Sequence, residues 1–207
     1  MCENYIVLLI IKEGHESDLL SSKLDKCASM SNSLKDTNQS NSYSIRSGTK
    51  NDLPDIHIII RESFLAMVPH SCLGRQFWVN MADQLINTEL NEDNFEKMYF
   101  DKETDNHFWV IENSNDNNVI GCVGLKRLKS ENSAELVRMG IKSELRGSGI
   151  GSLLIQTLIN YCKDKQDINQ IHLTTGNPLS VKFYQKNGFK DYNYFMFHKC
   201  VYQCNGK

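Results

Sequence analysis

Arg146-Gly-Ser-Gly-Ile-Gly151 is the segment that most narrows what this chain can fold into. An alternating stretch, Ala134 to Ile141, runs toward it and predicts a strand. Out of it comes a run in which Ile150, Leu153, Leu154, Thr157, Leu158 and Tyr161 recur at helical spacing, as a buried stripe should. Strand, glycine turn and helix make a cradle for an anion. The first helical turn leaves backbone N–H groups unpaired, and the helix dipole adds partial positive charge there. Gly147, Gly149 and Gly151 let the backbone come close to an anion, and Arg146 can add a cation at the rim. Three glycines in five residues also serve as a plain tight turn. The segment alone leaves both readings open.

Two other phosphate loops fail on spacing. The Walker sequence ends in Gly-Lys-Ser/Thr, whereas Gly151 is followed by Ser152-Leu153. The dinucleotide fingerprint needs its third glycine where Ser152 stands, and an acidic residue at the end of the next strand. Asp167 has roughly the right separation but precedes that strand.

The surrounding pattern predicts an α/β domain. Tyr43 to Arg46 reads as a short strand; Thr49 or Asn51 then caps a helix with Pro54 in its first turn and Ile56, Ile59, Ile60, Ser63 and Phe64 on one face. Residues 66–105 read as two helical pieces, one with the stripe Phe77, Met81 and Leu85, the other with Phe95, Met98 and Tyr99. His107 to Glu112 and Val119 to Leu128 make a hairpin around the turn-rich 113–118. After the glycine turn and its helix come a strand from Gln170 to Thr174 and a helix opened by Pro178, with Gly188 as its C-terminal cap. One aromatic strand, Phe189 to Phe197, closes the order. Residues 1–42 form an N-terminal extension whose 12–42 portion, rich in Ser, Asn, Asp and Lys, cannot bury enough surface to order itself. The expected boundaries are therefore 1–42 extension, 43–198 domain and 199–207 tail.

Composition excludes several classes. Twenty-three basic against 25 acidic residues give a net charge of −2, so no nucleic-acid partner is expected. Seven scattered cysteines without a Cys-x-x-Cys pair read as reduced thiols inside a cell. Cys200 and Cys204 with His198 lack a second ligand pair, so no metal is expected. The longest apolar run, Tyr5 to Ile11, falls far short of the ~20 residues of a membrane span. It is not flanked as a secretory signal either, which leaves the cytoplasm as the expected location.

Ile141 to Leu154 resembles the acetyl-CoA motif of the GCN5-related N-acetyltransferase (GNAT) superfamily, Arg/Gln-x-x-Gly-x-Gly/Ala, with Arg146, Gly149 and Gly151 in its three fixed places. Asn177-Pro-Leu-Ser-Val-Lys-Phe-Tyr184-Gln-Lys-Asn-Gly188-Phe189 is similar to the family's late helix. The two motifs stand one helix, one strand and a loop apart, as in that family. The resemblance covers residues 43–198, most strongly from Trp109 onward. Ala134 to Met139 looks most like the camello-like, N-acetyltransferase 8 branch, whose members often carry a long hydrophobic segment ahead of the core; none is evident here. The implied fold is the GNAT fold: a mixed central sheet, antiparallel in its front half, with a parallel pair around the acetyl-CoA site and flanking helices.

The resemblance also implies roles. Acetyl-CoA would be the cosubstrate and a primary amine, small molecule or protein-borne, the acceptor, attacking the thioester directly. Backbone groups of Met139 and Ile141 would hold the pantetheine arm. The N–H groups of Arg146, Gly147, Ser148, Gly149, Ile150, Gly151 and Ser152 would take the pyrophosphate, with Asn177 on the opposite wall. Tyr184 occupies the family's general-acid place, against which stands a core tyrosine beside the apolar Phe183. Glu135 matches the glutamate base of the family's histone acetyltransferases. Strand alternation puts it on one face with Val137, Met139 and Ile141, where desolvation could raise its pKa. The alternatives are a strand glutamate paired with Arg138 or Lys126, and a water chain as base. Glu89, Glu92, Asp93, Glu96, Asp101, Glu103 and Asp105 make either an acidic rim for a cationic amine or a solvated helix face. A homodimer is compatible with the sequence, as is a non-catalytic acyl-CoA-binding module.

Overall fold

Apolar residues along His107–Asn113 and Val119–Leu128 pair across the Asn113–Asn118 turn as strands β2 and β3. Around this hairpin the computed structural model, which describes residues 43–71, 73–128, 131–194 and 197–204, builds one seven-stranded sheet. The other strands are β1 (Tyr43–Ser47), β4 (Ser133–Ile141), β5 (Gln170–Thr175), β6 (Lys190–Tyr194) and β7 (Phe197–Gln203). Their order is β1-β2-β3-β4-β5-β7-β6. Every neighbouring pair is antiparallel except β4 and β5, the expected mixed sheet. The extension at residues 1–42 lies outside the described residues.

The described residues include five α-helices, α1 (Leu53–Leu65), α2 (Arg75–Thr88), α3 (Glu92–Tyr99), α4 (Ile150–Asp164) and α5 (Pro178–Lys186), with α2 packed on α1. On one side Ile56, Ile59 and Ile60 of α1 and Phe95 and Tyr99 of α3 form a core with Phe108, Val110, Cys122 and Val137. On the other side Leu154, Ile155, Leu158 and Ile159 of α4 and Tyr184 of α5 pack on Val123, Leu136, Ile171 and Leu173. α4 lies against β2, β3 and β4, and α5 against β5, β6 and β7.

The structure corrects four sequence expectations. The helix cap is Asp52, because Thr49 caps a short 3-10 turn, Lys50–Asp52, that precedes α1. On α2 the buried stripe is Trp78, Ala82 and Ile86, one residue on from the one expected; the larger indole takes the buried place and Phe77 stays 41% exposed. On α4 Leu153 is exposed while Ile155 and Ile159 are buried, because the helix spans a wider stretch of sheet than a single stripe covers. The strand expected over Phe189 to Phe197 is β6, which stops at Tyr194, and a further strand, β7, starts at Phe197 in residues expected to be mostly tail. β7 returns to pair with β5 and runs to Gln203, past residue 198, and Cys200 and Cys204 are buried in the core.

Candidate active site

The site begins where two strands part. β4 and β5 pair only over Ser133–Glu135 and Gln170–His172; β4 then continues to Ile141 and β5 to Thr175 without each other. From Leu136 onward β4 thus presents an unpaired edge, to which an extended chain can add as a strand would.

A bulge shapes that edge. Cys122 pairs with Gly140 and Gly124 with Val137, so β4 carries one residue more than β3 between these pairs. Arg138 absorbs it with φ of 56°, a left-handed conformation rare for a side-chain-bearing residue. Parity then reverses. Val137 and Gly140 face α1, with Gly140 against Ile59 and Ser63, whereas Met139 and Ile141 pack on the α4 side. The single face expected for Glu135, Val137, Met139 and Ile141 is therefore split, because alternation does not survive the extra residue. Glu135 and Val137 stay on the α1 side; Met139 and Ile141 do not.

A buried ion cluster holds the bulge. The Arg138 guanidinium donates to both carboxylate oxygens of Glu89, each at 2.7 Å, and Lys126 Nζ donates to Oε2 at 2.8 Å. The Tyr99 hydroxyl also donates to Glu89. Glu89, only 6% exposed, sits at the joint between α2 and α3 and ties it to the strand. Burial alone would raise its pKa, but the hydrogen bonds and charges of Arg138 and Lys126 outweigh that and hold it at about 2. A carboxyl depressed below its unfolded value stabilises the fold above about pH 4.5 and loses that contribution as pH falls toward 2. We expect acid unfolding of the wild type to steepen in that window and Glu89→Gln to flatten it, read by circular dichroism against pH. Truncation to Ala, which strands Arg138, should cost about 3–5 kcal/mol in denaturant melts. Sequence reasoning missed this role, placing Glu89 either in an acidic rim or on a solvated helix face. That rim is not one surface: Glu89 is buried here, and Asp105 pairs with Lys165 at 3.0 Å near α4.

The glycine turn lies at the head of α4. Gly147 and Gly149 have φ of 86° and 89°, and Gly149 is the N-cap. The N–H groups of Gly147 and Gly149 have no backbone acceptor among the described residues, and those of Ile150 and Gly151 precede the first intrahelical bond. Ser152 N–H closes on the Gly149 carbonyl at 2.9 Å, and Ser148 N–H on the Leu145 carbonyl at 3.3 Å. A Cβ at Gly147 or Gly149 would meet nothing within 4 Å, so the backbone there is open to an approaching group. Gly151 differs: a Cβ there would come to 3.0 Å of the Phe183 ring on α5, so that ring would have to shift. Arg146 is exposed and its Nε donates to the Ile141 carbonyl at 3.3 Å, beside the unpaired edge. An anion followed by an extended amide chain fits these residues.

Across the splay, Asn177 caps α5, its side chain accepting from Leu179 N–H at 3.0 Å, which leaves its amide NH2 as the donor for other partners. Tyr184 is buried, its ring 5.3 Å from Phe183 and 5.8 Å from Phe189, with no hydrogen-bond partner for its hydroxyl among the described residues. Burial, and secondarily the neighbouring Cys200, push the phenol well above its usual range, so it holds its proton at neutral pH. Cys162 and Cys200 are also buried, which raises their thiols to about 12 and about 11 and keeps both protonated. Glu135 is half-buried, and the cations expected to pair with it, Lys126 and Arg138, go to Glu89 instead. A second missed residue is His172, the register partner of Glu135 on β5. Among the described residues no three His, Cys, Asp or Glu side chains group as metal ligands.

A mixed sheet splayed between a parallel pair, with a glycine turn heading the helix beside the gap, defines the scaffold of the coenzyme A-dependent N-acyltransferases. A sequence model of the acetyltransferase (GNAT) family matches residues 76–189, and the chain belongs to that family. Human N-acetyltransferase 8B is 29% identical over 132 residues, covering 61% of this chain and 56% of that protein. Rat N-acetyltransferase family 8 member 2 is 28% identical over 159 residues, covering 70% and 67%. These relatives agree with the branch expected from Ala134 to Met139; the chain spans little more than half the length of the human one. Among solved structures, the PaiA N-acetyltransferase of Thermoplasma acidophilum, in complex with coenzyme A, has a TM-score of 0.67 at 23% identity, covering 78% of this chain and 99% of its own. The spermidine N-acetyltransferase of Vibrio cholerae, in complex with CoA and spermine, has a TM-score of 0.53 at 19% identity, covering 78% and 95%.

Proposed function

We propose that this chain is an acetyl-CoA-dependent N-acetyltransferase that moves an acetyl group to a primary amine by direct attack. The observation that carries the reading is the open glycine turn at the head of α4 beside the unpaired edge of β4. Bound acetyl-CoA supplies the thioester whose acyl carbon the amine attacks and whose sulfur leaves. The turn from Arg146 to Ser152 holds the pyrophosphate on its N–H groups, and the edge at Met139 and Ile141 takes the pantetheine amides. Asn177 donates from the facing wall. Tyr184 keeps its proton for the departing sulfur, and Glu135 supplies the carboxylate on the side where the amine loses its proton. A cytoplasmic setting belongs to the same reading, supported by the free, buried thiols of Cys122, Cys162, Cys200 and Cys204. Among the described residues no helix is long and apolar enough to cross a membrane.

The test is mass spectrometry of the protein incubated with acetyl-CoA and a panel of amines: spermidine, a lysine-containing peptide and free α-amino acids. Acetylated product confirms the reading and names the acceptor class. Coenzyme A bound without product would favour a non-catalytic acyl-CoA-binding module, and an acetyl-cysteine trapped after acid quench would overturn direct attack.

A further inference from the structure

The parting of β4 and β5 has a floor. Glu135 and His172 are the last residues to pair before the strands separate. Both point away from the α4 side: their neighbours Ala134, Leu136, Ile171 and Leu173 fill that core. They stand side by side on the sheet face that α1 covers further along β4, at the inner end of the gap. His172 is half-buried, and its Nδ1 is enclosed with no hydrogen-bond partner among the described residues. A buried ring nitrogen left without a partner is uncommon and asks for a reason. Glu135 is the nearest-register carboxylate, and its own expected cations are committed to Glu89.

We propose that His172 is the catalytic base that takes the acceptor's proton, with Glu135 beside it as the carboxylate that stabilises the resulting imidazolium. The proposal rests on the acetyltransferase reading above. Among the described residues the charged groups that act on His172 are Lys199 of β7, Glu135 of β4 and Glu131 just before β4. Burial first, and Lys199 second, hold the ring below the ordinary histidine range against the pull of the two carboxylates, so it is neutral and able to accept at pH 7. Of the three ammonium protons, one goes to His172 and one stays on the product nitrogen. The freed lone pair forms the C–N bond at the acyl carbon. The C–S bond breaks with its electrons on sulfur, which takes the Tyr184 proton, and the third ammonium proton restores the phenol.

The test compares wild type with His172→Gln and His172→Ala, using whichever amine of the panel is acetylated. Calorimetry should show acetyl-CoA binding unchanged in both. Turnover should fall about 10²-fold or more, and the acid limb of the wild-type kcat/KM profile, below neutral pH, should vanish. Imidazole added to His172→Ala should restore part of the rate, which a packing role would not allow. Without acetyl-CoA, histidine NMR of the wild type should show His172 titrating below the ordinary range, and lower still with spermidine present. His172→Gln turning over within threefold of wild type, with the acid limb intact, would overturn this inference alone. A wild type that binds acetyl-CoA yet acetylates no amine would overturn the acetyltransferase reading and this inference with it.

Discussion

Gly149→Glu is expected to abolish acetyl-CoA binding while leaving the domain folded. Gly149 is the N-cap of α4 at φ of 89°, so any side chain there carries left-handed strain of about 1–2 kcal/mol. The strain is tolerable in a domain of this size, and the added Cβ meets nothing within 4 Å. The effect comes from charge. A carboxylate at this point lies among the N–H groups of the turn and at the positive end of the helix dipole, where it replaces the anion the turn is proposed to hold. It also repels the incoming pyrophosphate. Gly149→Ala separates the two contributions, since it keeps the strain without the charge and should weaken binding far less. Calorimetry with acetyl-CoA reads both variants, with thermal melts as the check on folding. Unchanged affinity in Gly149→Glu would remove the pyrophosphate from this turn.

The contrast between Gly149 and Glu89 marks what could be read from the chain alone. The glycine turn is local: strand, turn and helix lie within about thirty residues, and each leaves its own pattern of alternation, glycine spacing and helical period. The hairpin at Asn113–Asn118 and the helix at Pro178 are legible for the same reason. Glu89 finds its partners 37 and 49 residues away, at Lys126 and Arg138, and no local pattern distinguishes it from the acidic residues that follow it on α3. The bulge at Arg138 is equally hidden. It is one residue of mismatch between β3 and β4, decided by the partner strand, and it reverses the facing of every residue after it. Glu135 was legible as a strand residue and a candidate, but the pairing that places His172 beside it depends on a crossover through α4. β7, which occupies most of what reads as a tail, was missed because it is an inner strand whose pairing with β5 cannot be inferred from alternation.

Tyr184→Phe is expected to lower turnover by roughly 10²–10⁴-fold while leaving fold and cofactor affinity in place. The substitution removes one hydroxyl and almost no volume, and the ring contacts with Phe183 and Phe189 remain. Because no described residue hydrogen-bonds that hydroxyl, its loss strands no described partner, and the packing penalty should stay below about 1.5 kcal/mol. What changes is the supply of a proton. Burial keeps the phenol protonated through the neutral range, so the group is ready to donate as the C–S bond breaks but is a poor base. A proton drawn from so weak an acid leaves only as negative charge builds on sulfur, which ties the donation to the transition state and places the loss in kcat. CoA thiolate is a fair leaving group without help, which sets the lower end of the range. Steady-state kinetics and calorimetry on the same preparation divide the outcomes. Turnover within a few-fold of wild type returns Tyr184 to core packing. Lost acetyl-CoA binding makes the hydroxyl a positioning group for the cofactor's sulfur. A fall confined to kcat, with affinity and melting temperature unchanged, leaves proton donation as the account, since neither packing nor binding would then have moved.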